Sequence, residues 1–248
     1  MVAGWSGRVD PLKVQLFIPC LVDQAAPATA HATQQILERL GHEVHFDRRQ
    51  TCCGQALFNS GFRLEARILA ERFVQIFSEA EAIVSPSGSC VSMVVHHYSE
   101  IGLVGNLRDD CERLKSKVFE LSQFLSMNLP FPSGFSSFPH SVVYHPSCHL
   151  NRDLGVKTEP LDLLSQIDGI RLVSNDLPVE CCGFGGAFSA KYGKLSQRIA
   201  DRRAEALEAT GAEFVTGGDD SCLGHIRQSL RRIGSPMRVI HYSRILAG

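Results

Sequence analysis

The triplet Cys-Cys-Gly occurs twice in this chain, as Cys52-Cys53-Gly54 and as Cys181-Cys182-Gly183. Lone cysteines bracket each copy: Cys20 and Cys90 around the first, Cys148 and Cys222 around the second. Eight of the nine cysteines therefore fall into two copies of one pattern. The offset is 128 residues from Cys20 to Cys148, 129 from Cys52 to Cys181 and 132 from Cys90 to Cys222. Near the last pair the alignment needs no gap, with Ala80-Glu81-Ala82-Ile83-Val84 over Ala212-Glu213-Phe214-Val215-Thr216. A repeat of this length, carrying its own apolar runs, implies an internal duplication.

Adjacent cysteines have three readings. A vicinal disulfide is strained, because neighbouring Cα atoms lie about 3.8 Å apart and an unstrained bridge wants roughly 4.4–6.8 Å. A buried structural pair is ordinary, since free cysteine is among the most buried residue types. The third reading is metal. Neighbouring side chains on an extended strand point to opposite faces, so two adjacent thiolates grip one ion poorly. Each can take a different iron of a cluster, and the glycine lets the backbone turn closely beside it. The matching outer cysteines favour metal. Four thiolates per copy satisfy an iron–sulfur cluster and equally a closed zinc site. Short CxxC knuckles of the zinc type are absent, which favours iron–sulfur.

Composition narrows the setting. The 248 residues are 44% hydrophobic, enough for one or two cored domains. A net charge of −1 gives no electrostatic case for nucleic acid or an acidic membrane surface. No apolar run approaches the roughly 18 residues of a membrane span. Arg8 and Asp10 stand where a signal peptide would be apolar. The expected location is the cytoplasm, where thiols stay reduced. Arg202-Arg203 and Arg231-Arg232 read as solvated helix faces, and Cys111 as a helical core thiol.

Residues 1–12 read as a loose tail. Strands are expected at Val14–Ile18, Glu43–Phe46 and Ala82–Ser85, with helices at Ala28–Leu40, Gly61–Phe77 and Asn106–Met127. The second half repeats the plan: strands at Val142–Tyr144, Ile170–Val173 and Glu213–Thr216, helices at Leu154–Ile167 and Leu195–Ala209, and another helix opening at Cys222. The predicted fold class is α/β, two duplicated Rossmann-like halves, each with a small parallel sheet covered by helices. The halves are residues 1–132 and 140–248, joined by a Pro- and Ser-rich stretch. Phe131, Phe135 and Phe138 in that stretch either tuck into the core or form an exposed patch for a partner.

In parallel α/β folds, ligands sit at the carboxyl ends of strands. That gathers Cys20, Cys52, Cys53 and Cys90 at one rim, and Cys148, Cys181, Cys182 and Cys222 at another. Gly54 and Gly183 can bring backbone N–H groups to sulfur. Ser87 and Asp219 stand three residues before the last cysteine of each copy, as weak oxygen ligands, hydrogen-bond partners or helix N-caps. His145 and His149 flank Cys148 and can ligate, carry a proton or donate a hydrogen bond. No Ser-His-Asp arrangement and no G-x-G-x-x-G fingerprint is present, so no catalytic residue is assigned.

Longer motifs carry a resemblance: FIPCLVD at Phe17–Asp23, QTCCGQALFNSG at Gln50–Gly61, PSGSC at Pro86–Cys90, YHPSCHLNRDLG at Tyr144–Gly155 and ECCGFGGAFSAK at Glu180–Lys191. The chain resembles the tandem cysteine-rich CCG domains found in heterodisulfide reductase and in the iron–sulfur component of glycolate oxidase. It resembles the lactate utilization protein A family more closely. That resemblance implies a cytoplasmic iron–sulfur component of an L-lactate oxidation system, working with two further proteins. It implies [4Fe–4S] clusters on the cysteines of each motif, one or two per chain. The heterodisulfide relatives hold noncubane clusters on five cysteines per motif, and Ser87 and Asp219 stand here where a fifth would be. Zinc in one half is the alternative occupant. A cluster-based thiol–disulfide reductase and a zinc-stabilised scaffold are the alternative functions. The chain is not expected to oxidise lactate alone, because that step needs a base and a two-electron acceptor such as a flavin or nicotinamide.

Overall fold

The computed structural model describes residues 10–173 and 179–248. Most of the tail expected at residues 1–12 lies outside the described residues. Among the described residues eight strands are formed: β1 (Lys13–Leu16), β2 (Glu43–His45), β3 (Ala82–Ser85), β4 (Val118–Glu120), β5 (Ser141–Tyr144), β6 (Arg171–Leu172), β7 (Phe214–Gly217) and β8 (Arg238–His241). Among the described residues they build two four-stranded sheets, ordered β2-β1-β3-β4 and β6-β5-β7-β8. All the pairings are parallel. The central strands β3 and β7 are buried at every position, as expected for parallel strands with helices on both faces. The fold is α/β with duplicated halves.

Register makes the duplication close enough to pair residues between halves. Leu16 lies opposite Val84 in the first sheet, and Tyr144 opposite Thr216 in the second. Each ladder adds one further bond, Phe17 N–H to Val84 O at 2.9 Å and His145 N–H to Thr216 O at 2.7 Å. Phe17 and His145 therefore hold equivalent places.

Two expected elements are corrected, and others are added. The single helix expected over Asn106–Met127 is two helices, Asn106–Lys115 and Leu121–Ser126, separated by β4. Val118 and Glu120 turn inward there, filling in the first sheet the place that β8 fills in the second. Glu120 then caps the following helix, its carboxylate accepting from Ser122 N–H at 2.8 Å. The helix expected over Leu154–Ile167 shortens to Glu159–Ser165. Gly155 adopts φ +69° and breaks the chain direction, and Pro160 is placed at the start of the helix, where its missing N–H costs nothing. Short helices at Cys20–Ala25 and Tyr242–Ala247, and β8 itself, have no counterpart among the expected elements.

The halves pack on each other through pairs of helices. The Pro27–Arg39 helix of the first half packs on Tyr242–Ala247 of the second, and Leu121–Ser126 packs on Glu159–Ser165. One apolar cluster draws on both halves, including Ile36, Leu121 and Phe124 with Leu163, Tyr242 and Ile245. Phe131 and Phe135 belong to it, their rings stacked at 4.3 Å. Phe138 packs against Phe214 at 4.9 Å. The three phenylalanines thus join the shared core, and no exposed aromatic patch forms there.

Candidate metal centre

Every pattern cysteine sits beyond the carboxyl end of a strand or in the loop after one. Cys20 opens the Cys20–Ala25 helix after β1; Cys52 and Cys53 precede the Gln55–Asn59 helix; Cys90 lies in the Gly88–Ser92 helix after β3. Cys148 follows β5 and leads into a π-helical turn at His149–Asp153, and Cys222 lies in the first turn of the Asp220–Arg232 helix after β7. Cys20 Sγ is 3.6 Å from Cys52 Sγ, and Cys53 lies close enough to Cys90 to raise its thiol. In the second half Cys182 Sγ is 3.0 Å from Cys222 Sγ, and Cys148 lies close enough to Cys181 for each to shift the other's thiol. All are free thiols. Each half brings its four together, with the second cysteine of the pair and the last cysteine buried, and the other two reachable from solvent.

The glycine of each triplet has a definite role. Gly54 and Gly183 adopt φ +85° and +82°, a region that side chains resist. Their backbone N–H groups donate to Cys52 Sγ and Cys181 Sγ, both at 3.3 Å. A Cβ on Gly183 would lie 2.6 Å from Ser196 O, so the loop also packs tightly on the helix behind it. Hydrogen bonds from Cys20 and then Cys53 pull the Cys52 thiol well below the usual thiol range, against its burial. Cys148 and Cys182 do the same for Cys181. Cys53 and Cys182 are pushed up, first by donating to those neighbours. Cys20 and Cys148 are pushed up in the same way, so each half favours a single thiolate, on Cys52 and on Cys181. Cys111 is a core thiol of the Asn106–Lys115 helix, raised to about 11 by burial, and stands apart from both sets.

The two rims touch one another. Gly88 N–H donates to Gly218 O at 3.3 Å, and Leu150 is wedged so closely that a Cβ on Gly88 would lie 2.5 Å from its Cγ. Asp219 accepts from Ser221 N–H at 3.1 Å and, with its other oxygen, from Ser89 N–H of the first half at 2.9 Å. It caps a helix, one of the roles its position allows. Ser87 takes the N-cap position of the Gly88–Ser92 helix without a capping bond; its Oγ lies 3.4 Å from Ser89 Oγ. His149 approaches Cys148 Sγ through Nδ1 at 3.7 Å and Gln55 of the other half through Nε2 at 3.3 Å. Between the rims opens a cleft of about 310 Å³, walled by Cys20, Cys52, Cys53 and Cys90 on one side and by Phe184, Gly185, Asp219 and Ser221 on the other.

His145 is buried, and a ring nitrogen of it lies within 4.8 Å of the sulfurs of Cys182 and Cys222. Burial, then the charge of Arg203, pushes its imidazole down to about 3, so it is neutral. Arg203 corrects the sequence reading: it is 1% exposed and donates to His145 Nδ1, while Arg202 beside it is on the surface with Glu180 at 3.0 Å. The signal that could have found it is the repeat, which lays Arg203 over Phe73.

Four convergent thiols, a backbone N–H aimed at one of them, and no carboxylate used as a donor make a set suited to thiolate-bound metal. The donor chemistry of both halves fits an iron–sulfur group.

The family model of the CCG cysteine-rich domain matches residues 14–95 and again 142–227. Among curated proteins, Lactate utilization protein A of Halalkalibacterium halodurans is 39% identical over 241 residues, covering 95% of this chain and 96% of that protein. Lactate utilization protein A of Geobacillus thermodenitrificans is 38% identical over 235 residues, covering 95% and 98%. Lactate utilization protein A 2 of Bacillus cereus strain Q1 is 38% identical over 242 residues, again covering 95% and 98%.

Proposed function

Because this chain belongs to the lactate utilization protein A family and contains two CCG cysteine-rich domains, we propose that it is the iron–sulfur electron-transfer subunit of an L-lactate oxidation system. It would work in the cytoplasm with two further proteins. Residues 1–132 and 140–248 would each form one cluster-bearing half. The carrying observation is the pair of four-thiol sites, one in each half, each with a backbone N–H on sulfur.

Cys20, Cys52, Cys53 and Cys90 would hold one cluster, and Cys148, Cys181, Cys182 and Cys222 the other. Such a group supplies one-electron storage when bound. The protein's own contribution is to fix the thiolates and to aim N–H groups at sulfur. It also holds the two sites against each other through Asp219, Ser89, His149 and Gln55. No described helix is long and apolar enough to cross a membrane.

The test is dye reduction by lactate without oxygen, first with the iron-loaded protein alone and then with its partners. The expected result is no turnover alone and turnover only when all components are present. Lactate oxidation by the isolated protein, or full-rate oxidation by the partners without it, would overturn the assignment.

One observation favours a second reading. The cleft reaches Cys20 and Cys52 and has room for a small thiol compound. A disulfide bound there would take two electrons and two protons and leave as two thiols. Catalytic turnover of small disulfides by this protein without its partners, with a reduced viologen dye supplying the two electrons per disulfide and solvent the two protons, would favour this reading over electron transfer.

A further inference from the structure

The buried face of the Arg63–Phe77 helix returns 130 residues later in the Gly193–Glu208 helix. Ala66, Ala70, Phe73, Val74 and Phe77 become Ser196, Ala200, Arg203, Ala204 and Leu207. Strand register pairs Phe17 with His145 in the same way. In the first half Phe17 and Phe73 meet edge to face, centroids 5.0 Å apart. In the second half the equivalent contact is a hydrogen bond from Arg203 Nε to His145 Nδ1 at 3.1 Å. Both residues are 1% exposed. The duplication has kept its shape and changed its chemistry at this contact, beside the buried cysteines.

Burying a guanidinium and an imidazole is costly, and the first half shows that the fold does not need them. Their hydrogen bond fixes the ring. A guanidinium can only donate, so His145 Nδ1 presents its lone pair and the single ring proton sits on Nε2. Nε2 has no hydrogen-bond partner among the described residues, although a ring nitrogen lies within 4.8 Å of the Cys182 and Cys222 sulfurs. A proton on Nε2 suits it to donate to sulfur. Ligating metal through Nε2 would require a fully deprotonated ring.

We propose that His145, oriented by Arg203, donates Nε2–H to a sulfur of the second-half centre and so sets its reduction potential above that of the first-half centre. Hydrogen bonds to sulfur and nearby positive charge favour the more negative, reduced state. Phe17 offers the first centre neither. An electron entering at either centre therefore comes to rest on the second, which gives the duplicated protein a direction. This inference rests on the reading that each half holds an iron–sulfur group.

The test uses the full chain prepared without oxygen, with iron and acid-labile sulfide measured first. Redox titration followed by electron paramagnetic resonance should give two midpoints, the higher belonging to the signal lost in Cys182→Ser. The double variant His145→Phe with Arg203→Phe recreates the first half's apolar pair. Its higher midpoint should fall until the reduced fraction at a fixed potential is about tenfold smaller, about 59 mV for a one-electron couple. His145→Gln keeps an N–H donor and should retain most of the wild-type midpoint. In wild-type protein carrying 15N-histidine, the reduced second centre should show a weak nitrogen coupling and a solvent-exchangeable proton. That measurement decides the matter even where the double variant fails to fold. Unchanged midpoints in iron-loaded double variant, or a strong coupling diagnostic of direct nitrogen ligation, would overturn the role of His145 alone. Absence of iron and sulfide from wild-type protein would overturn the cluster reading beneath it.

Discussion

The carboxylate of Asp219 accepts a hydrogen bond from the backbone N–H of Ser89, 130 residues earlier and in the opposite half, at 2.9 Å. Its second oxygen accepts from Ser221 N–H and caps the Asp220–Arg232 helix. One buried side chain thus serves two helix starts, each carrying the last cysteine of its set. Asp219→Ala removes a cap worth about 1 kcal/mol and strands the buried Ser89 N–H at about 1–3 kcal/mol. The melting temperature should drop by several degrees, at roughly 2–4 °C per kcal/mol for a chain of this size. Asp219→Asn keeps an acceptor and should lose less. Thermal unfolding followed by circular dichroism checks both, and a wild-type melting curve for Asp219→Ala would refute the bridging role.

Glu120 is fully buried in the interface between the halves, where Tyr242 O–H donates to it at 2.7 Å. Desolvation raises its carboxyl to about 7, with the Ser122 and Tyr242 donors pulling the other way. A carboxyl raised on folding binds its proton more tightly in the native state. Its contribution to stability is therefore full below about pH 4.5, declines as pH rises towards about 7, and is then flat. The decline should be on the order of 3–4 kcal/mol, from the span between 4.5 and about 7 at 1.36 kcal/mol per pH unit. Glu120→Gln removes it. Urea unfolding at pH 5.5, 6.5 and 7.5 should show the wild type losing stability relative to Glu120→Gln as pH rises. Parallel pH dependence in the two proteins would contradict the account.

What the sequence made legible was the part that repeats. The strands leading into Cys20, Cys90, Cys148 and Cys222, and the turns at Gly54 and Gly183, recur with their chemistry at nearly constant spacing. The parts that stayed hidden depend on the other half of the molecule. Phe131, Phe135 and Phe138 are ambiguous locally, and their burial is decided by a core built from both halves. β4 is three residues long and sits between two helical segments, so its strand character comes from pairing with β3 rather than from its own pattern. Arg203 follows another arginine and reads as surface. Only the helix period carried across the duplication sets it over the buried Phe73.

Gly183 should resist any side chain. A methyl there meets both a positive φ and the backbone of Ser196 at 2.6 Å. Gly183→Ala should cost about 1–3 kcal/mol and release metal from the second half. Gly193, with no atom near its Cβ position, should tolerate alanine with metal content unchanged. Metal analysis and unfolding of the two variants make the comparison, and full metal retention by Gly183→Ala would show that the loop is not a tight cradle.

The sites should be separable. Cys182→Ser removes a thiol buried beside Cys222 and should abolish the second-half signal while the first remains. The equivalent Cys53→Ser should do the reverse. Electron paramagnetic resonance of the reduced variants distinguishes them. Loss of all signals in either single variant would point to one shared centre across the cleft.

The central claim is that these eight thiols hold iron and sulfide, and the most direct measurement is elemental and acid-labile sulfide analysis of protein purified throughout without oxygen. The account predicts brown protein with iron and sulfide in near-equal amounts and a reducible paramagnetic signal. Stoichiometric zinc without sulfide would contradict it and leave a zinc-stabilised scaffold in its place.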